Sequence, residues 1–270
     1  MTPGNLVLAA IFSVAALPLW AGESWQAVKE QLYGDRAMLD GTKLIAIDVP
    51  YRTFDDARTD IAAFVAAPTG VSIGKVVLVL DENPMPVSAV FELDTPQPRF
   101  FFDVTMRVNG PTPLHVVAET TDGRLFMAET FVKTSGQGAC SAPPGTDPAE
   151  ALATLGDMDL LVTEELPQSV SASLSNLTLR QRRLDVDIQH PSHSGMQMDQ
   201  ISLLYIPMRY VEDIQIDLDG AGYVGLTGSI SLSENPRVGM SVPRDTQSVD
   251  VTMTDTDGTV AKAHKKLAGF

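Results

Sequence analysis

LHVVAETTDGRLFMAETFVKTSGQGACSAPPGTDP, residues 114–148, is the stretch on which the fold turns. Its first part holds two apolar runs, Leu114–Glu119 and Leu125–Val132, on either side of Asp122-Gly123. Alternating residues around an Asp-Gly pair predict a β-hairpin, because glycine readily takes the positive φ that a tight turn needs. Its second part, GQGACSAPPGTDP over 136–148, sets three glycines and three prolines among small polar residues. No strand or helix runs through such a segment, so a domain boundary falls here. Inside that boundary stands Cys140, the one cysteine of the chain.

On the N-terminal side of the hairpin the same period of two recurs. Ile45, Ile47 and Val49 alternate with Ala46 and Asp48, followed by the runs 61–66, 75–80, 87–93 and 100–108. Short strands divided by turn residues at this spacing predict an antiparallel sandwich. On the C-terminal side a second series follows, over 157–163, 171–179, 183–189, 211–218, 224–232, 237–242 and 249–254. Both series carry a Glu-Asn-Pro triplet (82–84 and 234–236) ahead of a closing Thr-Asp-Gly turn (121–123 and 256–258). The fold class is all-β, two sandwich domains joined by a Gly/Pro-rich linker. Ahead of both series, Glu23–Gly34 predicts a short helix closed by glycine, with Trp25, Val28 and Leu32 on one face as cover for a sheet edge.

Residues 6–19, LVLAAIFSVAALPL, form an uncharged apolar run. It is shorter than the ~20 residues a spanning helix needs; Pro18 near its end breaks the helix, and the small residue Ala21 follows. The segment 1–21 therefore reads as a secretory signal, although its start lacks Lys or Arg. The remaining divisions are 22–139 for the first sandwich with its helix, 140–155 for a cysteine-bearing arm and linker, and 156–270 for the second sandwich. Across 270 residues, 19 basic and 34 acidic side chains leave a net charge of −15. Such a chain does not neutralise phosphates, which argues against nucleic acid or an anionic membrane surface as main partner. No internal disulfide and no thiolate metal cluster can form from one cysteine, and no cofactor is expected.

Cys140 lies among Gly136, Gly138, Ala139, Ser141 and Ala142, and none of these is bulky enough to bury it. The sequence thus predicts an exposed thiol on a flexible segment, with no neighbouring cation to lower its pKa. Three uses remain open: covalent carriage, an intermolecular disulfide, or an incidental free thiol.

The order of features resembles a fusion of the sulfur-oxidation carrier proteins SoxY and SoxZ. The SoxY likeness rests on Pro50-Tyr51-Arg52, on LVLDENPMPVSAVFEL (78–93), and on TTDGRLFMAETFVKTSGQGAC (120–140). The SoxZ likeness rests on Ile188-Gln189-His190-Pro191, Gly195, Tyr205-Ile206-Pro207, Tyr210-Val211 and LSENP (232–236). The chain also resembles the single-chain SoxYZ-like carrier associated with quinoprotein dehydrogenases. The resemblance implies two immunoglobulin-like sandwiches, a periplasmic location and no catalytic activity. It also implies that Cys140 is the attachment site for covalent sulfur adducts such as an S-thiosulfonate, with Gly136 and Gly138 as the flexible part of its arm. The implied partners are periplasmic sulfur-oxidation enzymes or a quinoprotein dehydrogenase, for which the chain would otherwise be an accessory binding module. Two features depart from the family. Ala139 and Ser141 flank the cysteine where glycines are usual, and the arm continues through Ala142-Pro143-Pro144 instead of ending the chain. A looped arm cannot enter a narrow channel end-first, so a wider or shallower partner site is expected.

One further set bears chemistry. His190, His193, Met196 and Met198 supply imidazole and thioether groups of the kind that hold Cu(I), against which stands their place in a SoxZ-like loop. His115, inside an alternating run, is expected to be a half-buried strand residue.

Overall fold

The computed structural model describes residues 21–136, 138–164 and 181–267. The apolar leader up to residue 20, Gln137 and the strand expected over 171–179 lie outside the described residues. Helix α1 (Ala21–Tyr33) is followed by β1 (Met38–Asp40), β2 (Ile45–Asp48), β3 (Thr59–Ala66), β4 (Ile73–Leu80) and β5 (Val87–Gln97). Then come β6 (Arg99–Met106), β7 (Thr112–Thr120) and β8 (Leu125–Val132). The boundary segment holds a single 3-10 turn (Ala139–Ser141) and the short helix α2 (Pro148–Ala153). The second half contributes β9 (Met158–Thr163), β10 (Gln181–Ile188), β11 (Val211–Leu218), β12 (Ala221–Thr227), β13 (Arg237–Pro243), β14 (Ser248–Asp255) and β15 (Val260–Lys266).

The Asp122-Gly123 turn is where the alternation placed it, with Gly123 at φ 82° and β7 and β8 paired from Glu119–Leu125 outward. Asp219-Gly220 closes β11 to β12, there with both residues at positive φ. The strand expected over 224–232 stops at Thr227. Beyond it the carbonyls of Ile230 and Leu232 turn away from the ladder and accept hydrogen bonds from Arg107.

Two sheets of nine and six strands form the sandwich, and each contains strands of both halves. The halves meet edge to edge: β5 pairs with β12 (Phe91 opposite Leu226), and β6 pairs with β13 (Phe102 opposite Met240). One apolar core consequently runs through the seam, joining Phe91, Phe100, Phe102 and Met106 to Leu184, Ile216, Leu226 and Met240. The sheets are continuous although the sequence divides them into two sandwiches, because each half leaves its inner edge strand open for the other.

Some strands are apolar on both faces, and the structure shows why. In β4, Val76, Leu78 and Leu80 enter the core, while Val77 and Val79 face outward under Trp25 and Tyr33 of α1. The helix therefore covers a sheet face and not an edge. Leu32 is exposed and Tyr33 takes its place in the contact, since the residue that covers the sheet is set by the helix's docking angle as well as by its period. His115 is fully buried, in contrast to the half-burial expected of it. Its ring stacks on Trp25 with centroids 4.0 Å apart, and its Nε2 lies 3.2 Å from the buried carboxylate of Asp81.

Candidate functional site

The arm is docked and its thiol is buried. Cys140 has no solvent exposure, which overturns the exposed thiol expected from its small neighbours. The groups that bury it come from elsewhere in the chain. Asn109 Oδ1 accepts from the Cys140 backbone N–H at 3.1 Å, the Ser194 hydroxyl donates to the Cys140 carbonyl, and Gln197 Nε2 donates to the Ala142 carbonyl at 2.9 Å. Asn109 is itself held, because its N–H donates to Asn83 Oδ1. The Asn83 amide donates in turn to the Arg107 carbonyl and to Ser231 Oγ. The first Glu-Asn-Pro triplet thus braces the cysteine through one intermediate residue. The asparagine of the second triplet, Asn235, pairs with the backbone of His190.

Both ends of the arm are fastened by carboxylates. Asp56 accepts from the backbone N–H and the hydroxyl of Ser135. Glu234 accepts from the N–H groups of Gly145 and Thr146, each at 2.8 Å. Cys140 is five residues from each anchor (140 − 135 and 145 − 140), the midpoint of the loop between them. Gly136 and Gly138 both sit at positive φ, 83° and 75°. They shape the docked turn, and a side chain at Gly138 would also press on Ser141 Oγ.

Arg107 is the cation of this junction. The residue is 2% exposed, and its guanidinium donates to the carbonyls of Leu232 and Ile230 at 2.6 and 3.3 Å. Burial pushes the Cys140 thiol above its ordinary pKa, and the nearby Arg107 charge offsets only part of that. The docked thiol is therefore protonated and a poor nucleophile. Glu234 is held below the usual carboxylate range: burial works against it, but the Thr146 and Gly145 donors and Arg107 outweigh that.

The copper set does not assemble around His190. Its Nδ1 accepts from the Ser192 N–H at 2.9 Å and its Nε2 faces Asp255 Oδ2 at 3.3 Å. One ring nitrogen is thus occupied as acceptor and the other carries the proton given to the carboxylate. His193 Nδ1 is engaged with Gln197 Oε1. Among the described residues no group of three or more His, Cys, Asp or Glu is placed to hold a metal ion.

Burial holds the His190 imidazole down at about 4, against the opposing pull of Asp255. In the unfolded chain the same ring protonates near pH 6.5. Its contribution to stability is accordingly complete above about pH 6.5 and is lost as the pH falls towards 4, about 3 kcal/mol in all. Urea unfolding across this window should show that decline, and His190→Gln should flatten it. An equally steep decline in the variant would assign the acid sensitivity to other groups.

Family comparison matches the two halves separately, although each sheet holds strands of both. Residues 29–140 match the family of sulfur oxidation protein SoxY, the match ending on Cys140 itself. Residues 180–266 match the family of sulphur oxidation protein SoxZ. No curated protein matches the chain. Among solved structures, the sulfur carrier protein SoxY from Chlorobium limicola f thiosulfatophilum is 19% identical, covering 42% of this chain and 96% of its own, with a TM-score of 0.34. A superoxide reductase (neelaredoxin) from Ignicoccus hospitalis is 18% identical over 34% of this chain and 80% of its own, with a TM-score of 0.26. The β-glucuronidase of Parabacteroides merdae is 12% identical over 83% of this chain and 24% of its own, with a TM-score of 0.22. Likenesses this weak carry no argument about activity.

Proposed function

Because the chain is a fused SoxYZ-like protein, a SoxY domain followed by a SoxZ domain, we propose that it carries sulfur-oxidation intermediates covalently on Cys140 and presents them to partner enzymes. SoxY and SoxZ proteins are carriers in sulfur oxidation and not catalysts, and their partners are sulfur-oxidation enzymes. The observation that carries the finer reading is the position of Cys140: the last residue of the SoxY match and the midpoint of a loop fastened at both ends. Periplasmic residence belongs to the same reading. Among the described residues no helix is long and apolar enough to cross a membrane.

Carriage requires the arm to leave its dock, since a thiol with no exposed surface meets no donor. The anchors at Ser135 and Gly145 stay, and the segment between them swings. Five residues span at most about 17 Å when extended, so the sulfur reaches no farther than that from its anchors. Such a tether suits a partner whose reacting centre is shallow and open enough to admit a doubled chain. Once out, the thiol loses the desolvation that keeps it protonated and becomes the nucleophile for a sulfur donor.

Intact mass of the protein taken from sulfur-oxidising cells is the direct test. A sulfur-containing adduct on Cys140 is expected, together with complete loss of carrier function in Cys140→Ser. An unmodified thiol combined with a fully functional serine variant would end the proposal.

A further inference from the structure

The loop that holds the docked cysteine also carries the largest concentration of exposed apolar side chains near the arm. Between Met198 and Met208 the chain shows Ile201 at 94% exposure, Leu203 at 68%, Leu204 at 69% and Tyr205 at 68%. Isolated exposed apolar residues are ordinary, but a contiguous cluster marks an interaction site. This cluster is presented by a built hairpin. Its limbs are joined by bridges at His193–Arg209 and Met198–Tyr205. The Ile206 N–H donates to the Gln197 carbonyl. At the tip, Asp199 Oδ1 accepts from the backbone N–H groups of Ile201 and Ser202 and from the Ser202 hydroxyl. Leu203 is kept at φ 57°, a conformation that costs a branched side chain energy and persists only where its surroundings impose it.

The base of this hairpin is the latch of the arm. Ser194 holds the carbonyl of Cys140 and Gln197 that of Ala142, and both residues lie within the limb that leads to the exposed tip. Beyond the docked arm, Phe54 stands fully exposed at the edge of a cavity of about 510 Å³ lined by Gly138, Ser141 and Pro143. Asp55 borders that cavity, and Asp147 and Glu150 flank the arm's far end at α2. The surface around the cysteine is apolar at its high points and carries charges of both signs around them: Asp55, Asp147 and Glu150, and the exposed Arg58, which reaches the carbonyls of Glu234 and Asn235 beside the arm's anchor.

We propose that the hairpin 193–209 is the docking surface for the sulfur-oxidation enzyme that serves Cys140, and that seating it there loosens the latch that hides the thiol. The fitting partner surface is an apolar depression beside the enzyme's reacting centre, because the hairpin that carries the exposed cluster also holds the Cys140 arm and the tether keeps the sulfur close to it. Binding and release are coupled because one hairpin carries both the exposed cluster and the Ser194 and Gln197 contacts to the arm, so a partner that binds the hairpin better with those contacts broken favours the released arm. The thiol is then exposed mainly when an acceptor is present, which limits its oxidation by bystanders. The role given to Cys140 rests on the carrier reading above; the location of the docking surface does not.

The test uses the full chain in sulfur-oxidising cells, with a photo-crosslinking residue at Leu204 and, in a parallel variant, at Leu39. Leu39 is also exposed but lies on β1, beside Phe126 at the far end of β8 from the arm. Crosslinking to a sulfur-oxidation enzyme identified by its peptides is expected from Leu204 and not from Leu39. In the double variant Ile201→Asp, Leu204→Asp, the adduct on Cys140 should fall at least about tenfold in cells. Loading of the purified variant by tetrathionate should proceed as in the wild type. In that reaction the thiolate attacks an inner sulfur of tetrathionate, the central S–S bond breaks and thiosulfate leaves with the bonding pair. The cysteine keeps the thiosulfonate group and its proton goes to solvent. Gln197→Ala should speed alkylation of Cys140 by about fivefold, one hydrogen bond's worth of latch. Crosslinking from Leu39 in place of Leu204, an undiminished adduct in the double variant, or an unchanged alkylation rate in Gln197→Ala would each overturn the proposal. If the wild type bears no adduct in cells, the carrier reading fails, and the crosslinking comparison still decides whether the hairpin is a docking surface.

Discussion

Phe102→Ala is expected to destabilise the protein by about 3–5 kcal/mol and to do so in both halves at once. Phe102 is fully buried, stacks on Phe91 with centroids 4.5 Å apart, and lies opposite Ala63 of the first half on one side and Met240 of the second half on the other. Removing its ring opens a cavity in the seam and not in one domain. Since whole domains are stable by only about 5–15 kcal/mol, the loss should be plain in a urea titration. Hydrogen exchange followed by mass spectrometry should show β3 and β13 losing protection together, as expected of one cooperative core. Two well-separated transitions, with only the first-half strands affected, would show that the joined sheets do not unfold as a unit.

Alkylation of Cys140 in the native protein is expected to be about a hundredfold slower than in the urea-unfolded chain. Three hydrogen bonds hold the arm at Cys140 and Ala142, from or to Asn109, Ser194 and Gln197. At about 1 kcal/mol each, their sum of about 3 kcal/mol corresponds to two decades in the population of the opened arm. The raised thiol pKa adds to the protection, because the docked form supplies almost no thiolate. Asn109→Ala should recover a measurable part, about fivefold. Timed quenching with iodoacetamide and intact mass reads both numbers. A native rate equal to that of the unfolded chain would mean that the dock does not hold the arm, and the burial seen for Cys140 would have no protective consequence.

The alternating runs and the Asp122-Gly123 turn made most strands legible in sequence, because a period of two and a glycine at positive φ are local properties. Segment 136–148 was legible as a break between strands, flanked by β8 and β9. The state of Cys140 was not. Its sequence neighbours are too small to bury anything, but Asn109 is 31 residues away, Ser194 is 54, and the partner of Ala142, Gln197, is 55. Arg107 sits inside a strand-to-loop junction where sequence offers no reason to expect a buried charge. It is satisfied there only because the chain turns after Thr227 and aims two carbonyls at it. The window 190–198 stands out in sequence for its imidazoles and thioethers, whereas its members that hold the arm are Ser194 and Gln197. The seam was not legible either, because edge strands that pair with each other carry the same pattern as edge strands that face water.

The ladders β5–β12 and β6–β13 have a consequence for the peptide that links the halves. That peptide does not hold them together; the shared sheets and core do. A single cut between Cys140 and Gly145 would therefore leave a heterodimer of unchanged architecture. Its first subunit would end in a loose cysteine-bearing tail, free to thread where the uncut loop is too broad to follow.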